Sequence, residues 1–146
     1  MKYYKGRFKP TNPSKYKGDP TNIIYRSMWE FRVMRYFDSN QNVIQWSSEE
    51  IAIPYRSPID GKWHRYFPDF VITIKDKDNN IKVFIIEVKP ENQTKPPKVR
   101  TKATKKYVTE VATWGINSSK WQAADEYCKD RKWSFQILTE RHLGIK

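Results

Sequence analysis

A chain of 146 residues carries 28 Lys and Arg against 16 Asp and Glu, a formal net charge of +12. The length sets one domain with one modest core as the expectation, and the charge attracts polyanions, nucleic acid before anionic membrane. No apolar run approaches the roughly 18 residues of a membrane span. The basic N-terminus has no apolar segment behind it, Cys128 as sole cysteine excludes an internal disulfide, and no Cys/His cluster suggests zinc, so a cytosolic protein without a membrane partner is expected.

Residues 1–20 carry Lys2, Lys5, Arg7, Lys9, Lys15 and Lys17 with no acid before Asp19, and Tyr3, Tyr4, Phe8 and Tyr16 interleave with them. Pro10, Pro13 and Pro20 break any helix. Two readings stand side by side: a basic arm whose lysines meet phosphates while its aromatics stack on bases, or a tail whose aromatics dock on the domain. The division expected is an arm over 1–20 and a single domain over 21–146. Thr21 or Asn22 can then cap a helix running to about Phe37. Glu30 lies three, four and seven residues before Val33, Met34 and Phe37 and shares their apolar face. A carboxylate there costs free energy unless it is paired, with Arg26 or Arg35 as partners, or metal-bound.

Asp38–Asn42 reads as a loop and Val43–Trp46 as a short strand. Ile51, Ile53 and Tyr55 alternate inward on the next strand, where Pro54 favours an edge. Glu50 adjoins that strand and reads as a surface carboxylate first and as a second-rank candidate near a metal after that. Ser57-Pro58-Ile59-Asp60-Gly61-Lys62 is a turn, and His64 after it reads as structural or exposed.

The centre of the chain is Arg65-Tyr66-Phe67-Pro68-Asp69-Phe70-Val71-Ile72, a polar turn at Lys75–Asn80, and Ile85-Ile86-Glu87-Val88-Lys89-Pro90. The two apolar runs predict a β-hairpin. Period two places Ile81, Val83, Ile85, Glu87 and Lys89 on one face and Lys82, Phe84, Ile86 and Val88 on the other. Asp69 can meet Glu87 and Lys89 across the ladder. Two carboxylates and an ammonium at one apolar hairpin end suit divalent-metal catalysis: the carboxylates hold a hard cation and the lysine steadies developing negative charge.

Beyond Lys89 a Pro-rich loop, Pro90–Pro97, carries Lys95. Residues 98–114 read as a basic helix with Lys98, Lys102, Lys105 and Lys106, well placed to grip a DNA backbone. Gly115 is expected to end it and Ser118 or Ser119 to cap the next, whose stripe of Trp121, Ala124, Asp125 and Cys128 makes Cys128 a core thiol. Ser134–Leu138 reads as a final strand, with a last turn from Thr139 to Gly144. A mixed sheet flanked by helices, an α/β fold, fits this order.

Pro68-Asp69 followed by Glu87-Val88-Lys89 resembles the PD-(D/E)XK nuclease signature, with Glu30 in the place of the upstream helical Glu. Tyr25-Arg26-Ser27-x-Trp29-Glu30, Trp46-Ser47-Ser48-Glu49-Glu50, Tyr66-Phe67-x-Asp69-Phe70 and Glu87-Val88-Lys89-Pro90 together resemble the head completion nucleases of T-even-type tailed phages and, more distantly, endonuclease subunits of heteromeric transposases. The resemblance implies a restriction-endonuclease-like α/β core and a DNA endonuclease. Asp69, Glu87 and the Val88 carbonyl would hold Mg²⁺ or Mn²⁺, Glu30 would hold a second ion or its water, and Lys89 would orient the attacking water or stabilise charge. It further implies action on DNA ends or single-stranded overhangs late in head assembly, in the host cytoplasm, with portal or neck proteins of the phage head as partners. The competing readings are a non-enzymatic DNA-binding head plug and a transposase-type subunit. The first has no need of acids set against a phosphate, and the second usually needs a further partner-contact domain.

Overall fold

Apolar residues at alternate positions build a sheet with two buried faces, and what covers each face follows from which residues point there. The structure, a computed structural model, describes residues 4–145, so Lys2 and Tyr3 lie outside the described residues. The elements in order are β1 (Gly6–Arg7), β2 (Ile24–Tyr25), α1 (Met28–Ser39), β3 (Val43–Ser48), β4 (Ile53–Arg56), β5 (Trp63–Tyr66), β6 (Phe70–Lys75), β7 (Ile81–Val88), α2 (Lys105–Arg131) and β8 (Ser134–Leu138). Strands β3, β6, β7 and β8 form the central sheet in that spatial order. The first three run antiparallel, and β8 lies parallel to β7 after the long crossover through α2. This is the mixed, helix-flanked α/β sheet expected of a restriction-endonuclease-like core. Among the described residues no helix is long and apolar enough to cross a membrane.

The alternation of β6 and β7 sorts the core into two clusters. Phe70, Ile72, Ile86 and Val88 face α1 and pack with Val33, Met34, Phe37 and Trp46. Ile85 faces the other way, toward Ile53, Tyr55 and Tyr66 of the β4–β5 hairpin and Ala124 and Cys128 of α2. Each fully buried side chain of this kind, Met34 or Phe70 for example, contributes roughly 1.5–3 kcal/mol of transfer free energy. The hairpin turn works as expected: Asp76 Oδ1 accepts the N–H groups of Asp78 and Asn80, each at 2.9 Å.

Within the described part of residues 1–20, Phe8 and Tyr16 dock on the core while Tyr4 stays 52% exposed. Phe8 and Tyr16 are buried, and both meet Trp46 edge to face, with ring centroids 5.8 and 4.8 Å from it. Pairing of β1 with β2 pins the stretch, with Gly6 opposite Tyr25. The Tyr25 ring covers Gly6 so closely that a Cβ there would fall 2.5 Å from Cζ.

Two helix expectations are corrected. The first helix starts at Met28 and not after Thr21, because Ile24 and Tyr25 are taken by the strand pairing and Ser27 supplies the cap, its hydroxyl accepting the Glu30 N–H at 3.2 Å. The basic helix expected over 98–114 and the one after Gly115 are a single helix, Lys105–Arg131, capped by Thr104, whose hydroxyl accepts the Tyr107 N–H. Lys98 and Lys102 therefore lie in the preceding loop, and Gly115 sits inside the helix. There it faces the loop after β4 at ordinary contact distance: a Cβ would meet Pro58 Cγ at 3.4 Å. The helix stops instead at Lys132, left-handed at φ 60°, whose N–H reaches the Cys128 carbonyl.

Candidate active site

One end of the central sheet collects the start of β6, the ends of β3, β5 and β7 and the first turn of α1. The β6–β7 register pairs Phe70 with Ile86, so one further step sets Asp69 opposite Glu87. Asp69 Oδ2 accepts the Val88 N–H at 2.7 Å. Glu87 is 6% exposed and its Oε2 accepts the hydroxyl of Tyr66. Lys89 continues the parallel ladder, its N–H donating to the Leu138 carbonyl at 3.0 Å. Its ammonium is near enough to act on both acids and draw their pKa values down.

That pull does not win. Burial pushes the carboxyls of Asp69 and Glu87 above the ordinary range, and for Glu87 the neighbouring Asp69 charge adds to it. Glu30 joins them from the first turn of α1. Burial first and the Asp69 charge second raise its pKa from 4.5 to about 7. Neither arginine weighed as its partner pairs with its side chain: Arg26 offers Glu30 only its backbone N–H, at 3.4 Å, and Arg35 lies over the Phe31 ring.

Arg26 pairs instead with Glu49, its Nε and Nη2 each 3.1 Å from one carboxylate oxygen. Glu49 enters the site for a reason of register. β3 pairs Ser48 with Phe70, and the Glu49 N–H donates to the Asp69 carbonyl at 3.2 Å, with Glu49 itself left-handed at φ 54°. Its charge helps to raise the carboxyls of both Asp69 and Glu30. Glu50, the candidate offered by the sequence, turns away and accepts the Tyr16 hydroxyl at 2.9 Å. Glu49 and Tyr66 are thus the members the sequence reading missed. A signal existed for Tyr66, since it alternates inward with Tyr55 on the hairpin beside Glu87. Glu49 stood in the Trp46–Glu50 run that carries the family resemblance, but nothing local set it ahead of Glu50, because its neighbour Asp69 is twenty residues away.

Among the described residues no three His, Cys, Asp or Glu side chains already stand as a metal-binding group; Asp69 and Glu87 each direct an oxygen at a protein donor. The donor set nevertheless suits a hard divalent cation, because three carboxyls held up by burial and mutual repulsion are the groups such a charge relieves.

Some of the basic residues line two grooves and others lie outside both. Lys95, Lys98 and Arg100 line one of about 1050 Å³ that also contains Lys89 and Trp114. Arg7 and Lys9 line another of about 990 Å³ with Arg32 and Arg35 of α1. Lys5, Lys102, Lys105 and Lys106 are exposed outside both, Lys106 lying 3.9 Å from Glu110.

A family model described as the TnsA-like endonuclease N-terminal domain matches residues 40–140, a span that takes in Glu49, Tyr66, Asp69, Glu87 and Lys89. The head completion nuclease of Enterobacteria phage T4 is 41% identical over 150 residues, which cover 98% of this chain and 97% of that protein. With its mixed sheet and its acids and lysine gathered at one sheet end, the chain belongs to the TnsA-like endonuclease family, a PD-(D/E)XK-type family.

Proposed function

We propose that this protein is a divalent-metal-dependent DNA endonuclease that trims DNA ends during late phage head assembly. The observation that carries the reading is the gathering of Glu30, Asp69, Glu87 and Lys89 at one sheet end beside a basic groove. Asp69, Glu87 and the Val88 carbonyl would hold Mg²⁺ or Mn²⁺, with Glu30 serving a second ion or a bound water. An ion held there would supply a lowered water pKa and charge neutralisation at the scissile phosphate. The chain's own residues do the rest. Tyr66 orients Glu87, the Val88 N–H fixes Asp69, and Lys89 sits where negative charge develops on the phosphate. Lys95, Lys98 and Arg100 would hold the backbone of the strand approaching Lys89, with Lys102, Lys105 and Lys106 further along it.

Residues 21–146 would form the nuclease core and 1–20 a basic strap across it, whose Lys2, Lys5, Arg7 and Lys9 add phosphate contacts. The likeness to the T4 head completion nuclease over nearly the whole of both chains supports the assembly role, with work in the host cytoplasm and partners among portal or neck proteins.

The test is incubation of linear and nicked DNA with the purified protein, in Mg²⁺ or in chelator, alongside Asp69→Asn and Lys89→Ala. Cleavage is expected only with the metal, and each variant should lose it by at least about a hundredfold with its melting temperature kept. Wild-type cutting by either variant would remove that residue from the site.

A further inference from the structure

The β4–β5 hairpin has two faces, and only one is used by the fold. Its inner face, with Ile53, Tyr55 and Tyr66, is buried against Ile85 and α2. There Lys120 stands 5.7 Å from the ring centroids of both Tyr55 and Tyr66. The outer face follows from period two: Trp63, Arg65 and Phe67 along β5 and just beyond it, with Arg56 opposite Trp63 and Pro54 opposite Arg65. All five are exposed, Trp63 to 68% and Phe67 to 45%. Two large aromatics left in water on one short ribbon are unusual enough to need a reason.

The charge on this face selects the partner. Arg56 and Arg65 sit among the aromatics, and no acid lies on the face. Asp60, in the turn, is held by His64 at 2.8 Å and by the Lys62 N–H. Arg65 lies over Phe67, its guanidinium carbon 5.5 Å from the ring centroid, within cation–π range. Trp63 and Phe67 lie about 13 Å apart along an extended chain, with this cation between them. Two residues past Phe67 is Asp69.

We propose that the outer face of the β4–β5 hairpin is a stacking platform for unpaired DNA bases, leading a single-stranded terminus toward Asp69. Aromatic faces flanked by arginines bind the π-face of any base and a phosphate beside it, without reading base edges. Bases inside a duplex are already stacked and have no face to offer, so the platform distinguishes an unpaired strand from a paired one. The proposal deepens the nuclease reading, on which it rests, by naming the residues that would hold an unpaired end: Trp63, Arg65 and Phe67.

The experiment measures binding of a dye-labelled single-stranded oligonucleotide and its duplex by anisotropy, with the full chain in chelator. Trp63→Ala is expected to weaken single-strand binding about tenfold and duplex binding less than about twofold, with Trp63→Phe restoring most of the loss. Arg65→Gln should weaken both and flatten the salt dependence by about one unit of slope. Phe67→Ala serves as the second aromatic variant, and melting temperatures verify that each protein is folded. Unchanged single-strand affinity in both alanine variants, or an equal loss on both DNAs, would overturn the platform. Because binding is read without cleavage, the two ideas separate. A chain that binds single strands through Trp63 but never cuts DNA keeps the platform and loses the nuclease reading; a chain that cuts while Trp63→Ala binds normally does the reverse.

Discussion

Glu30 shows how one side chain ties stability to the site. With its pKa raised from 4.5 to about 7, the folded protein binds this proton more tightly than the unfolded chain does. The resulting stability is fully present below about pH 4.5 and is lost as the pH rises through 7. Asp69 and Glu87, shifted the same way, add to it. In chelator, the melting temperature should therefore fall between pH 5 and 8, and Glu30→Gln should flatten that fall. Mg²⁺ should raise the melting temperature more at pH 8 than at pH 5. Calorimetry across that range decides it, and a flat wild-type profile would count against the carboxyl cluster. Tyr66 makes a second case. Its hydroxyl is a donor to the buried Glu87 carboxylate, so Tyr66→Phe leaves that charge without its partner, at a cost of about 1–3 kcal/mol. The cost should grow from pH 5 to pH 8 as Glu87 ionises, and kcat for cleavage should drop about tenfold with KM nearly unchanged. A variant as active as wild type would reduce Tyr66 to core packing.

Among the elements, α2 is the one whose extent depends on tertiary contact. Gly115 lies in its interior, where glycine costs about 1 kcal/mol relative to alanine. A methyl group there would sit at 3.4 Å from Pro58 Cγ, at the near edge of ordinary contact. Gly115→Ala should therefore be neutral or stabilising by up to about 1 kcal/mol, and Gly115→Leu destabilising, because the helix would have to leave the loop that supports the β4–β5 hairpin. Chemical denaturation measures both, and a strongly destabilising alanine would mean that Pro58 cannot yield. At the other end of the site, Ser27 is fully buried and caps α1 at the residue that bears Glu30. The start of that helix and the position of the acid are thus set by the same hydrogen bond.

At the scale of the molecule, the +12 charge is spread over surfaces that differ in their relation to the site. Lys95, Lys98 and Arg100 share a groove with Lys89, while Lys75, Lys77 and Lys82 sit at the hairpin turn, the far end of the sheet. Replacing the first three with Gln should weaken binding equally on unrelated DNA sequences. It should also flatten the salt dependence by roughly one unit of slope for each cation that no longer meets a phosphate. The same change at Lys75, Lys77 and Lys82 should leave the slope nearly as it was. Salt titrations of both triple variants test this. Equal slopes for the two would make the groove an ordinary solvated surface.

Much of this was legible in the chain because it depends on local periodicity. Alternation in Phe70–Lys75 and Ile81–Val88 demands a hairpin with two buried faces, and the positions of Asp69, Glu87 and Lys89 along it bring them to one end whatever else packs there. The buried Cys128 and the strand after it follow from equally short patterns. The sequence left open what depends on partners distant in the chain. Glu49 and Glu50 look alike as neighbours, and only the β3–β6 register puts Glu49 against Asp69 while Glu50 turns to Tyr16. Arg26 stands four residues from Glu30, yet its guanidinium pairs with Glu49, a residue on another strand end. Gly115 carries the signal of a helix stop, yet packing of Ile116, Trp121 and Ala124 against the β4–β5 hairpin carries the helix through it. In each case the deciding term is a hydrogen bond or a contact between segments that meet only after the sheet has formed, and no pattern of neighbours encodes it.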